Sequence, residues 1–296
     1  MTLTNLGVEN ASSGSVAPQA NGDRTVAVGN KALSNGTESV ALGESLASGA
    51  DSFAAAIANN TSSYGASGTS SIAMGASSKA SNSYAVAIGW SQTASGHQSV
   101  ILGGNSSTSS GYNSFAVGRL ITSSNTYSIG MGNECTASQE ASIAIGQGAL
   151  SAVHGKLAHS GKKFNAIGDA QGGTFVLLSD TTDATAEAMT TNNGSAASNN
   201  QVVATTNTCV TFSGTIVAMQ NGAQSYGSWE IRGLLVNDGG TTTLPVFNIS
   251  EIGSSGWKIN LSADNTNNAL KVQVTGEASH NIRWVANIQT SEVTYA

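Results

Sequence analysis

The chain has 296 residues, room for two domains of ordinary size. Charge is scarce: 11 Lys and Arg with 17 Asp and Glu make up 9% of the sequence, against about 25% in an average soluble domain. This excludes helical bundles and coiled coils, and with only 2 Pro and a net charge of −6 the chain does not read as disordered either. A β-rich, turn-dense protein remains. No Lys/Arg cluster exceeds the pair Lys162–Lys163, so no electrostatic footprint for nucleic acid is present. No apolar run reaches the roughly 18–20 residues of a membrane-spanning helix, and the opening MTLTNLGVENASSG has neither the basic nor the apolar region of a secretory signal. The expectation is folding in a cytoplasm, without membrane insertion.

In chain order, residues 1–21 show no periodicity and read as an attachment segment that orders on a partner. From residue 22 to 150 a repeat runs: an apolar residue, usually Ala, a second apolar residue, then Gly. It appears as VAVG (26–29), VALG (40–43), IAMG (72–75), VAIG (86–89), VILG (100–103), FAVG (115–118), IGMG (129–132) and IAIG (143–146), with a degenerate AAIA at 55–58. The column is Gly29, Gly43, Gly75, Gly89, Gly103, Gly118, Gly132 and Gly146, with Ala58 in the odd copy, at steps of 14 or 15 residues and one of 17.

Seven residues earlier stand Gly36, Gly68, Asn82, Gly96, Gly111, Asn125 and Gln139, where a turn with positive φ is expected. Ser or Thr precedes the main glycine by four: Thr25, Ser39, Ser71, Ser99, Ser114, Ser128 and Ser142. Two turns per repeat leave two strands of about five residues, one rung of a flattened parallel β-solenoid whose rungs stack at about 4.8 Å. Alternation puts Val26 and Val28, or Val86 and Ile88, on one face, and Ala27 or Ala87 on the other. A small-residue Ala face lets another sheet approach closely, which predicts self-association through that face into a closed cyclic oligomer.

The stretches SVALGESLASGADS and SIAMGASSKASNSYAVAIG resemble the head repeat of trimeric autotransporter adhesins, over about residues 22–150. The resemblance implies a left-handed parallel β-roll shaft, with three rolls packed around a threefold axis as a homotrimer. Those adhesins also carry a secretion signal, a heptad stalk and a membrane anchor, and none of these patterns occurs in the sequence.

Residues 151–172 form a transition, and residues 173–296 change to alternating strands. These are TFVLLS (174–179), QVVATT (201–206), CVTFSGTIVAMQ (209–220), SWEIRGLLV (228–236), TLPVFNI (243–249), WKINLS (257–262), ALKVQV (269–274) and IRWVANIQTSEVTY (282–295). Turn signals such as Asn237-Asp238-Gly239-Gly240 separate them, and an antiparallel β-sandwich fits. SADNTNNALKVQVTGEASHNIRWVANIQTSEVTY resembles C-terminal domains of bacteriophage tail-fibre and virion proteins. That implies a virion appendage assembled in the host cytoplasm, held to other virion proteins through residues 1–21, with a host cell-surface glycan or protein as its target. Two other identities stay open: a decoration or baseplate fibre whose terminal domain is a trimerisation cap, and a fragment of a bacterial trimeric adhesin.

Little points to catalysis. Asp180, Asp183, Glu187, Glu230, Asp238, Asp264 and Glu277 mostly fall in turn contexts, whereas glycan hydrolysis needs two facing carboxylates. His97, His154, His159 and His280 lack zinc spacing, and Cys135 and Cys209 read as unpaired thiols. No nucleophile elbow or phosphate-binding loop occurs, so the chain reads as a non-enzyme with no cofactor and no metal. Recognition is better served by the aromatic residues Tyr64, Trp90, Tyr112 and Tyr127 near rung corners, which either stack on sugars or staple one subunit to the next. Trp229, Trp257 and Trp284 read as sandwich core, and loops near 191–200, 221–227, 237–242 and 263–268 are where a tip would meet a receptor.

Overall fold

The computed structural model describes residues 6–8, 16–58, 63–222, 225–253 and 256–295. The chain is all-β, with a parallel solenoid of about 10 turns followed in sequence by antiparallel sheets. It divides into two compact units, Met1–Ala137 and Ser138–Ala296.

In the first unit each rung pairs one longer strand with a strand of two residues, as in Val86–Trp90 with Thr93–Ala94 and Phe115–Arg119 with Thr122–Ser123. The strands stack in parallel and in register: Val86, Ala87 and Ile88 align with Ile72, Ala73 and Met74 on one side and with Val100, Ile101 and Leu102 on the other. The two strands are unequal, rather than both about five residues, because two left-handed corner residues per rung consume chain. One corner column is Arg24, Glu38, Ser70, Tyr84, Gln98, Asn113 and Tyr127, at φ between 52° and 59°. The other is Lys31, Ser77, Ser91, Ser106, Leu120 and Glu134, at φ between 53° and 58°.

The glycines expected to take the positive-φ turn therefore do something else. A Cβ on Gly36, Gly68, Gly96 or Gly111 would lie 1.9–2.0 Å from a carbonyl oxygen of the next rung, so this column is small because backbone passes over it. The main column does need glycine for its conformation. Gly29, Gly43, Gly75, Gly89, Gly103, Gly118, Gly132 and Gly146 all lie at φ between 68° and 136°. The Ser column closes the turn: Ser39, Ser71, Ser99 and Ser114 each donate their hydroxyl to the carbonyl three residues back, at 2.7–2.8 Å.

The facing of the sheets corrects the expected assembly surface. Ala27, Ala41, Ala54, Ala73, Ala87 and Ala116 are 0% exposed inside the roll of a single chain, so they are not a self-association face. The short strands fill the same interior with Ala47, Ala66, Ala80, Ala94 and Ser109. The interior is narrow: where the larger buried Ile121 enters it, a Cβ at Gly130 would come within 2.4 Å of that side chain, and Ile101 is the one bulky residue in the register of Ala87 and Ala116. The larger residues that flank each Ala turn outward, where Ile72, Met74 and Met131 are 36–38% exposed. Part of the expected attachment segment also joins the solenoid, since Leu6–Val8 pairs with Val26–Val28 and Gln19–Ala20 with Leu33–Ser34. The remainder of that segment, residues 1–5 and 9–15, lies outside the described residues.

In the second unit, Ile143–Gln147 and Leu157–Ser160 continue the parallel pairing. The chain then reverses, and β1 (Ala170–Thr181) runs antiparallel to Leu157–Ser160. The other strands are β2 (Ala186–Ala188), β3 (Val202–Val203), β4 (Thr208–Gln220), β5 (Tyr226–Asp238), β6 (Thr241–Gly253), β7 (Lys258–Asp264), β8 (Ala269–Thr275) and β9 (Ile282–Thr294). A large antiparallel sheet has the order β1-β9-β4-β5-β6, and a smaller one pairs β8 with β2, β3 and β7. Their inner faces enclose one core, including Phe175, Phe212 and Ile216 from the large sheet and Leu261, Val272 and Val274 from the small one. Trp284 is central: its ring stacks on Trp229 at 5.5 Å and leans on Trp257 at 5.6 Å, while its indole N–H donates to Thr181 Oγ1 at 2.9 Å.

A buried ion pair ties the last rung to the sandwich. Lys156 Nζ donates to Glu292 Oε2 at 2.7 Å, with the two side chains 6% and 7% exposed. Gln171 donates to the same oxygen and Thr290 to the other, each at 2.7 Å, and the ammonium lies 5.1 Å from the Phe175 ring centre. Nearby, Asp169 organises the loop before β1. Burial alone would raise its carboxyl, but backbone N–H donors from Asn165, Ala166 and Phe164 at 2.6, 2.7 and 2.9 Å hold it below the ordinary carboxylate range.

Three outcomes are expected. Ala116→Leu overfills the roll and costs about 1–3 kcal/mol by denaturant unfolding, whereas Val117→Leu on the outer face leaves stability of the single chain nearly unchanged. Lys156→Ala strands a buried carboxylate and costs about 3–5 kcal/mol, and Lys156→Met with Glu292→Leu recovers most of the loss. The Asp169 contribution has a sign set by its lowered folded pKa: it is fully present above about pH 4 and lost as pH falls through the folded value. Hydrogen exchange at amides 164–166, corrected for its intrinsic pH dependence, is expected to rise on acidification below about pH 4, and Asp169→Asn to show that opening already at neutral pH.

Candidate functional site

Four consecutive rungs of the first unit carry an aromatic side chain at the same corner. Tyr84 and Tyr127 occupy the left-handed corner position itself, at φ 59° and 58°, and His97 and Tyr112 stand one residue before it. Backbone bonds lock the corners together: Asn113 N–H donates to His97 O at 3.0 Å and Tyr127 N–H to Tyr112 O at 2.9 Å. The rings then meet. Tyr84 and His97 make an edge-to-face pair at 5.6 Å, His97 and Tyr112 a parallel stack at 5.1 Å, and Tyr112 and Tyr127 an edge-to-face pair at 6.4 Å.

The result is a continuous rail on the surface, with Tyr84, Tyr112 and Tyr127 exposed by 54%, 46% and 52%. Among the described residues, His97 Nδ1 is buried and has no hydrogen-bond partner. Phenolic hydroxyls and half-open ring faces give the rail two kinds of contact, hydrogen bonds and C–H stacking.

Of the aromatic residues singled out from sequence, the structure brings Tyr112 and Tyr127 together and leaves the other two apart. Trp90 is 59% exposed but belongs to the column after the repeat glycine, in register with Asn105, and Tyr64 is half-buried. Tyr84 and His97 complete the rail and were missed, because steps of 13 and 15 residues do not follow a single column. The stapling these rings perform joins rungs of one chain.

The acidic and histidine candidates are mostly tied into local structure. Asp183 accepts from Thr185 N–H, which holds its carboxyl below the ordinary range. Burial would raise Asp264, but the Asn267 side chain and the backbone of Asn267 and Thr266 outweigh it and lower it. Asp180 lies 3.7 Å from Arg283, and Glu277 3.0 Å from His280. Among the described residues no group of three or more His, Cys, Asp or Glu is placed to hold a metal, and Cys135 and Cys209 are not joined in a disulfide. The expected receptor loops are internally fastened: Asn200 bonds to Asn192 and Ser195 within 191–200, and Asn237 and Asp264 cap the turns they open. Within the loop 221–227, residues 223–224 lie outside the described residues.

Part of the solenoid, with two of the four rail residues, matches a known repeat. The sequence matches the YadA head domain repeat over residues 20–43, 66–91 and 123–149. It carries the repeat of a trimeric autotransporter adhesin head. Among solved structures, the tailspike protein of the Acinetobacter phage vB_ApiP_P1 aligns at 10% identity and a TM-score of 0.19, covering 92% of this chain and 76% of that one. No curated protein matches the sequence. Residues 84 and 127 of the rail fall within the matched segments, and residues 97 and 112 fall between them.

Tyr112, like His97, contacts a ring on each side, so Tyr112→Ala is expected to cost about 1–3 kcal/mol, at roughly 0.5–1.5 for each aromatic pair. Tyr64→Ala, outside the rail, is expected to cost less. Chemical unfolding of the two variants checks the difference.

Proposed function

We propose that this chain is a subunit of a homotrimeric attachment fibre, a non-enzymatic adhesin carried on a phage particle, with the β-roll as its shaft and the sandwich as its tip. One observation carries the reading. The interior of the roll is already filled, mostly by Ala, yet a second set of apolar side chains runs down its outer face. Val86, Ile88, Val100, Leu102, Phe115 and Val117 repeat rung after rung and end half-buried in the single chain. Burying one such side chain fully is worth about 1.5–3 kcal/mol, so a stack of them drives association along the shaft. The adhesin-type repeat supports a threefold arrangement of that face. Three rails and three tips on a stiff rod would then multiply weak surface contacts. Attachment to other virion proteins through residues 1–21 is part of the same proposal.

A second reading, a bacterial surface adhesin, is favoured by the repeat match itself. Genomic neighbours separate the two: virion genes support the first, and secretion or anchor genes the second.

For the assembly, light scattering of the purified full chain is expected to give the mass of three copies, and Ile88→Glu with Val117→Glu to give single chains that keep their β-type circular dichroism. A wild-type mass of one chain contradicts the proposal. For attachment, the fluorescent trimer is expected to decorate at least one member of a panel of Gram-negative cells. Uniform absence of binding contradicts an adhesin and leaves a structural fibre.

A further inference from the structure

The large sheet of the second unit has one face in the core and the other face open. Strand register sorts the open face into cross-strand rows. Asn287 of β9, Thr215 of β4 and Glu230 of β5 form one row, and Gln289, Ser213 and Arg232 form the next, which Asn248 of β6 extends. All of these side chains are exposed, and among the described residues none has a hydrogen-bond or ion-pair partner. Together they line a groove of about 480 Å³. On one side the next row is apolar, with Val285 and Val217 exposed by 40% and 54%, and on the other side Val246 is exposed by 61%.

The geometry points to a binding cradle for a neutral oligosaccharide. Neighbouring strands lie about 4.8 Å apart, and same-face residues along a strand about 6.8 Å, so donors and acceptors form a grid on the scale of one sugar ring. The amides of Asn287, Gln289 and Asn248 each donate and accept, which suits vicinal hydroxyls; Glu230 accepts from hydroxyls and Arg232 donates to ring and hydroxyl oxygens. The flanking Val side chains meet the C–H faces of the sugar. The groove carries no net charge, because Glu230 and Arg232 cancel, so it offers an acidic ligand no net attraction. A second protein sheet is a poor occupant, since it would desolvate the whole polar grid and needs a matching partner for every group. The groove holds one carboxylate, Glu230, and hydrolysis needs two, so the cradle retains its ligand intact. This goes beyond the attachment reading, because it places a ligand site on the terminal unit and names the ligand class.

The test uses the full chain on an array of immobilised neutral oligosaccharides of gluco, galacto, manno and rhamno type, with sialylated and sulfated glycans alongside. Binding of a neutral member is expected, and Asn287→Ala with Gln289→Ala is expected to weaken it at least tenfold. Arg232→Ala and the isosteric Glu230→Gln should each weaken it as well, without moving the thermal midpoint, whereas Glu277→Ala outside the groove should leave it intact. No neutral saccharide bound, binding of acidic glycans alone, or binding indifferent to all the groove variants overturns the cradle. The same protein is applied to the cell panel. Cells decorated without any saccharide bound sink the cradle and leave the attachment reading standing; a saccharide bound without any cell decorated does the reverse.

Discussion

In the first unit the two strand columns of each rung are joined by corners so short that the space between them is filled mostly by the methyl groups of Ala, with Ile101 and Ile121 as larger insertions. Most other features of the shaft follow from that narrowness. Ala fills the interior column, Gly130 replaces it where Ile121 intrudes, and Ser hydroxyls close the turns from within. Ile101 and Ile121 are also buried inside, but most of the bulkier Val, Ile, Leu and Met side chains turn outward. A solenoid of this kind satisfies its backbone between rungs and its interior within one chain, but it leaves its main hydrophobic surface to be covered by something else.

The rung pattern, its period and the strands of the sandwich are legible in the sequence, because alternation and glycine spacing are local signals. Which face of a rung points inward is not. The usual rule sends larger apolar residues inside, and period two alone does not override it; here the interior volume decides, and Ala takes the inside. The corner conformations are equally hidden, since Arg24, Tyr84 and Leu120 have no preference for positive φ and adopt it because stacking on neighbouring rungs leaves no alternative. Asn and Gly at the neighbouring column give a false signal, explained by backbone crowding at the glycines.

The candidate sites divide in the same way. Tyr112 and Tyr127 are visible from sequence as corner aromatics, but their partners Tyr84 and His97 appear only when uneven rung lengths are laid in register. The polar rows of the large sheet depend on contacts between distant parts of the chain, with β9 beside β4. So does the lock between Lys156 and Glu292, which anchors the last rung to the strand that closes the sandwich. Composition does foreshadow the division of labour. With 9% charged residues, the chain spends few ions, one pair of them in a buried lock, and much of its surface is left to amides, hydroxyls and aliphatic faces.

The central claim is that the outward aliphatic columns are covered by other copies of the chain while the Ala columns serve the single chain alone. A cryo-electron microscopy reconstruction of the purified full chain addresses it most directly. The expected map shows three rolls around a common axis, with the Val86, Val100 and Val117 columns in van der Waals contact across the subunits and the Ala columns enclosed within each roll. A single isolated roll, or an assembly that leaves those aliphatic columns in solvent, would contradict it.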